Sequence, residues 1–402
     1  MNITIRQTRD RVSFRNSRRD ETELRLNELQ VRQSARNFIE AVNSTRAGWL
    51  TMNPTDALER LNRLSNAAYH ALADSAGEQY RVVAQRWDQV MSWMRMGRPS
   101  RAGEPPSTLV EIEVIDSYDY LPWEWMGPLL NKGPVSSRAP HQGEDATRLV
   151  AAAGQLVGMA SCRRIYLKAA ASPPLRLITS AVQVRGFFDM TLTTAPNEVA
   201  YLQQDGYRLI GPFPDQAIGF GGALADHLYD PAHPGPGSID GGTDHAVHFC
   251  CHHRAAPSHS SAFDDIPGSL LDFGGGTTVS TETLQEDLGD RWRQNPAGTS
   301  ELPLVFLNLC DGEVQPGTLA SLTRLFTYNA NPTVIGTAGI VTDSVATAFM
   351  KKFYESFARS RSAADSLWLA KHALLTQHKN PFGLLYTLCG DPALRLVGGP
   401  SP

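Results

Sequence analysis

The sequence predicts an α/β protein in which a mostly parallel sheet is covered by helices and is preceded by a helical segment. Beyond residue 109, short strand-like segments alternate with helical segments, which is the pattern of a parallel sheet whose two faces are both covered. Residues 302–309, LPLVFLNL, are apolar at almost every position, as a central strand of such a sheet requires.

The part of the chain before residue 109 is predicted to be a short hairpin followed by helices. Residues 2–15 alternate weakly between polar and apolar side chains, as the strands of a hairpin do. Apolar residues then recur at helical spacing, which predicts helices over residues 21–43, 55–72 and 75–94. Thr55 is the predicted N-cap of the second of these helices. A segment rich in Gly, Pro and Ser, residues 97–107, ends the region.

Strands and helices alternate in the remainder of the chain. Strands are predicted at residues 109–115, 163–167, 181–188, 207–211, 245–250, 303–309 and 333–341. Helices are predicted at residues 145–161, 197–205, 216–228, 281–293 and 344–359. A second linker, residues 229–243, is rich in Pro and Gly and divides this α/β region into two halves.

Composition and charge exclude several classes of protein. The chain of 402 residues carries 37 Lys and Arg against 41 Asp and Glu, and this net charge of −4 disfavours nucleic-acid binding. No apolar stretch approaches the roughly 20 residues of a membrane span, and the N-terminus shows no apolar signal segment. The five cysteines include no CxxC pair, which favours a reducing compartment. We therefore expect a cytoplasmic protein with neither a nucleic-acid nor a membrane partner.

Arginines are concentrated in the first twenty residues. They are Arg6, Arg9, Arg11, Arg15, Arg18 and Arg19. The simplest interpretation is a solvated hairpin, and the alternative is an arm that docks electrostatically on a partner.

One histidine and one cysteine come at the ends of two predicted core strands. His252 follows the strand at 245–250, and Cys310 follows the strand at 303–309. Because the carboxyl ends of parallel strands meet at one edge of a sheet, we expect the two side chains to lie close together. A thiolate is a strong nucleophile, and a neighbouring imidazole can take up the proton of the thiol. The pair therefore predicts nucleophilic catalysis by a cysteine.

A zinc site is the competing interpretation of the same segment. His248, Cys250 and His252 alternate along the predicted strand, so they share one face, and His and Cys are common zinc ligands. Zinc sites usually combine two blocks of ligands at set spacings, and the chain has no second block. We therefore predict no metal ion at this segment.

Several separated motifs resemble the CHAT domain, a bacterial family of caspase- and separase-like cysteine peptidases. In order along the chain they are LPWE at 121–124, VHFCCH at 247–252, LVFLNLC at 304–310, VTD at 341–343 and LYTLCGDP at 385–392. The resemblance runs from about residue 109 to the C-terminus, and the helices before it are similar to the helical lead-in of such domains. It implies a caspase-like fold and a cysteine endopeptidase that needs no cofactor.

The resemblance also assigns roles to individual residues. His252 matches the catalytic base and Cys310 the nucleophile, and the backbone N–H groups of His253 and Cys310 match the positions that hold the oxyanion. The family usually has Gly where this chain has His253. We expect the His253 side chain to be exposed to solvent, and a contact with substrate is the alternative.

Substrate specificity is less readable from the sequence. Related enzymes that cut after basic residues hold an acidic group in the pocket for that residue, and in one branch it lies two residues before the cysteine, where this chain has Asn308. Asp311 and Asp343 are the other candidate substrate-binding residues, although Asp343 is also a predicted helix cap. Glu124 is interpreted as a structural hydrogen-bonding residue rather than a catalytic one.

The resemblance suggests a division of the chain and a biological role. The predicted parts are an N-terminal hairpin and helical segment at 1–54, a helical lead-in with a non-catalytic α/β half at 55–240, and a catalytic half at 241–402. The expected function is limited cleavage of one or few partner proteins in bacterial defence, such as a gasdermin-like pore former. A catalytically inactive CHAT scaffold that binds a protein partner is the alternative, and the oligomeric state stays open.

Overall fold

The structure, a computed structural model, describes a large part of the chain. The described residues are 2–45, 50–96, 104–106, 108–114, 121–127, 142–154, 156–159, 161–165, 176–178, 182–214, 224–228, 246–255, 269–294, 303–310, 322–323, 325–327, 333–337, 339 and 341–397. Both predicted linkers lie largely or wholly outside them.

Strands and helices alternate through these residues. The strands are β1 Asn2–Gln7, β2 Arg11–Asn16, β3 Glu21–Arg25, β4 Leu109–Val114, β5 Ser161–Ile165, β6 Arg176–Ile178, β7 Val182–Phe188, β8 Tyr207–Phe213, β9 Ala246–Ala255, β10 Ser269–Asp272, β11 Thr278–Ser280, β12 Leu304–Cys310, β13 Thr333–Thr337, β14 Tyr386–Gly390 and β15 Arg395–Val397. The α-helices are α1 Glu28–Thr45, α2 Pro54–Ser75, α3 Tyr80–Met96, α4 Gln142–Ala153, α5 Ala195–Leu202, α6 Leu224–Leu228, α7 Thr281–Gln294, α8 Asp343–Ala358 and α9 Ala363–Gln377.

The chain divides into two compact units. Unit 1 comprises residues 1–168 and 367–387, and unit 2 comprises residues 169–366 and 388–402. The division predicted from the sequence, at residues 54 and 240, stays a prediction. In the structure β7 and β8 belong with β9 in unit 2, because β7 pairs with both of them along its length.

The sheet of unit 1 begins with the predicted N-terminal hairpin. Its strands lie in the order β3-β2-β1-β4-β5, and β1 buries Ile3 and Ile5 on one face. Residues 21–25 were expected to begin a helix, but they form β3, which pairs antiparallel with β2. Leu24 is fully buried there, so a strand places it on the same covered face as its neighbours.

The predicted cap of α2 is wrong by two residues. Asn53 is the N-cap, and its side chain accepts a hydrogen bond from the Thr55 N–H at 2.9 Å. Pro54 then occupies the first helical position, where its missing N–H and fixed φ cost nothing. Asn is also a stronger N-cap than Thr.

Unit 2 is built on a parallel sheet with the strand order β8-β7-β9-β12-β13. One edge of β9 pairs with β12. The other edge pairs first with β7, over residues 246–250, and then with the antiparallel strand β10, over residues 252–255. Helices α5 and α8 pack on one face of this sheet. The predicted α/β class, with a mostly parallel sheet covered by helices, is confirmed.

The β10–β11 hairpin was not predicted from the sequence. Its turn contains Gly274, Gly275 and Gly276, all with positive φ, and the Phe273 N–H donates to the Thr277 carbonyl across it. The hairpin continues the sheet beyond the end of β7. As a result, β9 is covered on both edges at the height of His252.

Candidate active site

His252 and Cys310 lie side by side at the carboxyl ends of two neighbouring parallel strands. The ladder between β9 and β12 is in unbroken register from Val247 to His252, and it pairs His252 with Cys310. Neighbouring strands lie about 5 Å apart. The His252 side chain is 22% exposed, so it is accessible from the solvent. The structure therefore brings together the two residues that the sequence singled out.

A carboxylate that was not predicted from the sequence faces His252. Asp189 follows β7 directly and is fully buried, and its Oδ2 lies 3.6 Å from the His252 Nε2. Its backbone N–H donates to the Cys250 carbonyl at 2.7 Å, at the point where β7 leaves the edge of β9. The signal that could have revealed it is an acidic residue at the carboxyl end of a predicted strand, which is where α/β sheets place their sites.

A local turn holds the Asp189 side chain in place. Its Oδ1 accepts hydrogen bonds from the backbone N–H and the hydroxyl of Thr191, at 2.9 and 2.6 Å. Within the described part of the chain, this turn leaves Oδ2 without a hydrogen bond in a buried position, directed towards His252. The loop continues to Thr193, whose hydroxyl donates to an oxygen of Asp343 at 3.2 Å.

Beneath the pair, a second carboxylate joins the two strands to the covering helices. Glu198 of α5 is fully buried, and its oxygens accept from Asn308 at 2.9 Å and from Thr347 at 2.7 Å. The His248 Nε2 lies 2.9 Å from the remaining oxygen. Tyr354 of α8 reaches the other nitrogen of this imidazole at 3.5 Å, and burial raises the pKa of its phenol far above the ordinary value. Nothing in the sequence distinguishes Glu198 from a surface residue of an amphipathic helix.

The three candidate substrate-binding residues have different placements. Asn308 is fully buried and its amide donates to Glu198, so we leave it out of the proposed substrate contacts. Asp343 is the first residue of α8 and accepts the hydrogen bond from Thr193. The helix cap itself is Thr342, one residue before the prediction, and its side chain makes no capping hydrogen bond. Asp311 lies outside the described residues.

His253 is buried, contrary to the expectation that its side chain faces solvent. Only 1% of the residue is exposed, and neither ring nitrogen has a hydrogen-bond partner among the described residues. Burial lowers its pKa to about 4, so the ring is neutral near pH 7. Within β9 the residue pairs with Leu271 of β10 and is extended rather than at positive φ. Its cross-strand neighbour Leu271, which is also buried, belongs to the hairpin that the sequence did not reveal.

The described residues contain neither a metal-binding cluster nor a membrane-spanning helix. No group of three or more His, Cys, Asp or Glu side chains among them is placed to hold a metal ion. None of the described helices combines the length and the apolar character needed to cross a bilayer. Cys250, Cys251 and Cys389 are buried in strands.

Strands β9 and β12 lie within a stretch of the chain that matches a known family of domains. Residues 239–387 match the family model of the CHAT domain. This stretch of the chain is similar to a CHAT domain. The CHAT match contains both His252 and Cys310, and it is shorter than the resemblance seen in the sequence, because the LPWE segment at 121–124 lies before it. Glu124 of that segment is buried in unit 1, in the short 3₁₀ helix Trp123–Trp125.

Other comparisons are distant. None of the curated proteins matches the sequence. Two crystal structures of the Saccharomyces cerevisiae separase–securin complex align with this chain at TM-scores of 0.49 and 0.37 and at 10% and 12% identity. The alignments cover 98% and 92% of this chain but 30% and 22% of the chains they match, so this chain spans less than a third of their length.

Proposed function

We propose that the protein is a cysteine endopeptidase whose working pair is His252 and Cys310. The observation that carries the proposal is the register of β9 and β12, which sets these two residues opposite each other inside the CHAT match. A thiol and an imidazole on neighbouring strand ends are the two groups that thiol-dependent acyl transfer needs.

The proposed reaction follows the chemistry of these two groups. His252 takes the thiol proton, and the Cys310 sulfur forms a bond with the scissile carbonyl carbon. The carbon–nitrogen bond then breaks, and the proton held by His252 goes to the leaving amine. Water hydrolyses the thioester and regenerates the thiol. The backbone N–H groups of Cys310 and His253 are the proposed oxyanion donors.

The substrate class is proposed from the family resemblance. We infer limited cleavage of one or few partner proteins in a bacterial defence system, with a gasdermin-like pore former as one substrate class, and a cytoplasmic site of action. Asp343 is retained as a candidate substrate contact because it is half-exposed and lies beside the loop that follows Asp189. The alternative is an inactive scaffold, for which the observation is that His253 fills a position usually held by Gly.

A cleavage assay with a library of proteome-derived peptides tests the proposal even though the natural substrate is unidentified. New peptide N-termini are detected by mass spectrometry for the wild-type protein and for Cys310→Ala. We expect a set of N-termini that share a residue type before the cut and that disappear in the variant. The same N-termini from both proteins, or none from either, would support the scaffold alternative. Proteins encoded next to this chain are the next substrates to test.

A further inference from the structure

We propose that Asp189 is a positioning residue that orients the His252 imidazole and favours its protonated form beside the Cys310 thiolate. The inference rests on the proposed His252–Cys310 pair and adds a third member to it. Asp189 reaches the pair from β7, a strand of the same parallel sheet, and its loop begins where β7 leaves the edge of β9.

The first argument is that the two oxygens of the Asp189 carboxylate have different neighbours. The Asp189 Oδ1 already accepts two hydrogen bonds from Thr191, which fix the rotation of the carboxylate. The Oδ2 is therefore the atom that faces the His252 Nε2, at 3.6 Å. A turn that needed only an acceptor could use an amide or a hydroxyl there, so the second oxygen needs a separate explanation.

The second argument is energetic. A buried carboxylate oxygen without a hydrogen bond is costly, and a charged donor is the partner that offsets the cost best. The Asp189 Oδ2 has no hydrogen bond, and a shift of under about 1 Å would bring it to the usual charge-assisted distance from the His252 Nε2. An imidazolium at His252 supplies that donor, whereas a neutral ring supplies it only as one of its two tautomers.

The third argument is the close approach of the β10–β11 turn. Gly274 lies so near Asp189 that a Cβ atom at this position would overlap the Asp189 Oδ1, and the Thr191 methyl would lie 2.9 Å away. Gly275, the next residue, also has positive φ but has no atom within 4 Å of such a Cβ. The β10–β11 turn therefore lies directly against the Asp189 carboxylate at its Oδ1, on the side of Thr191.

Other charged groups around His252 are engaged elsewhere or act from a different direction. Asp272 is its neighbour on β10, and one of its oxygens accepts from the Gly274 N–H at 2.9 Å. Asp343 accepts from Thr193. Along β9, His248 is paired with Glu198. Cys310 on β12 is the titratable neighbour across the other edge of β9.

The test variant is Asp189→Asn, which keeps the turn and removes the charge. The amide oxygen can still accept from Thr191, so the amide nitrogen then faces His252. Because this nitrogen only donates, it favours a neutral His252 with a bare Nε2 and disfavours the imidazolium. The thiolate of Cys310 then loses its counter-ion at neutral pH.

The measurement is the rate at which iodoacetamide alkylates Cys310 across a pH series, followed by mass spectrometry of the peptide that contains it. The wild-type protein should react at pH values where an ordinary thiol does not. In Asp189→Asn we expect the rate near pH 7 to fall about tenfold and the reactive range to move to higher pH. His252→Ala gives the profile of the cysteine without its imidazole.

Gly274→Ala and Gly275→Ala form a matched pair, because both place a Cβ at positive φ in the same turn but only the first collides with Asp189. We expect Gly274→Ala to shift the profile towards that of Asp189→Asn and Gly275→Ala to leave it unchanged. This pair carries the test should Asp189→Asn fail to fold.

The outcomes separate this inference from the proposed function. A wild-type profile equal to that of His252→Ala would overturn the His252–Cys310 pair itself. A wild-type profile distinct from His252→Ala but unchanged in Asp189→Asn would overturn only the role of Asp189. Equal shifts of the alkylation profile in the two glycine variants would mean that the altered turn causes the shift, and not the overlap with Asp189.

Discussion

Two histidines on the same face of β9 meet their carboxylates in different ways. His248 is fully buried, and the Glu198 oxygens that it faces also accept from Asn308 and Thr347. His252, four residues later, is 22% exposed, and the oxygen of Asp189 that faces it has no hydrogen bond. The first group is a closed network in the core, and the second is an open one at the end of the strand.

The difference follows from where the neighbouring elements end. Around His248, β7 and β12 cover both edges of β9, while α5 and α8 cover the face. At His252 the strand β7 has ended and the Asp189 loop has taken its place. A saturated buried network stabilises one arrangement of the core, whereas a buried carboxylate oxygen with no hydrogen bond among the described residues can still accept one.

The largest expected effect is the loss of peptide cleavage when the His252 imidazole is removed. His252→Ala should reduce peptide cleavage by about 1,000-fold or more, because the base and the nucleophile act as one unit. Its unfolding midpoint should stay close to that of the wild type, since the side chain is partly exposed. Cleavage rates and urea unfolding of the same preparation check both statements.

The matched control on the same strand is His248→Ala. We expect this variant to unfold at clearly lower urea concentration, because removal of the imidazole leaves a Glu198 oxygen buried without its partner. Similar stability losses in the two variants would contradict the distinction between the closed and the open network.

The next effect tests the closed network alone. Glu198→Ala removes the shared acceptor of His248, Asn308 and Thr347, so we expect a loss of at least about 3 kcal/mol in the free energy of unfolding. Glu355→Ala is the comparison on the surface. That carboxylate pairs with Lys352 at 2.9 Å but is 37% exposed, so its loss should cost less than about 1 kcal/mol.

A smaller, pH-dependent effect is expected from His253. Its pKa in the folded protein is lowered to about 4 by burial, against an ordinary value of 6.5. The unfolded chain therefore takes up a proton first, and stability present above pH 6.5 is lost as the pH falls towards 4. Between about pH 7.5 and pH 5 this loss should be about 2 kcal/mol.

His253→Phe keeps a ring of similar size and removes both buried nitrogens, so it should abolish this part of the pH dependence. Urea unfolding of the wild type and the variant at the two pH values checks it, because every other titrating group is common to both proteins. Parallel losses in the two proteins would mean that His253 takes up its proton in the folded state.

The smallest expected effect concerns metal. We expect EDTA to leave both the cleavage rate and the iodoacetamide profile unchanged, because the proposed reaction uses only His252 and Cys310 as its reacting groups. Stoichiometric zinc in the purified protein, lost together with activity on chelation and restored by zinc, would favour the competing metal site.

The periodic parts of the sequence determined most of the fold by themselves. The alternation in residues 2–15 predicted β1 and β2, and the apolar run at 302–309 predicted β12 as a buried central strand. These patterns are reliable because each strand buries its own face, which is a property of neighbouring residues. The ends of the strands at 245–250 and 303–309 also indicated that His252 and Cys310 would meet at one edge of the sheet.

Only the tertiary structure decided what surrounds that pair. Asp189 comes from a strand about 60 residues before His252 in the chain, and Glu198 comes from a helix whose polar residues look like surface. The glycine turn at 274–276 gave no periodic signal, yet the hairpin it closes pairs with β9 at His253 and lies close to Asp189. A pattern of local sequence specifies which face of an element is apolar, but the element that packs against that face is chosen by the whole chain. The burial and partner of each charged group therefore follow from contacts between distant segments.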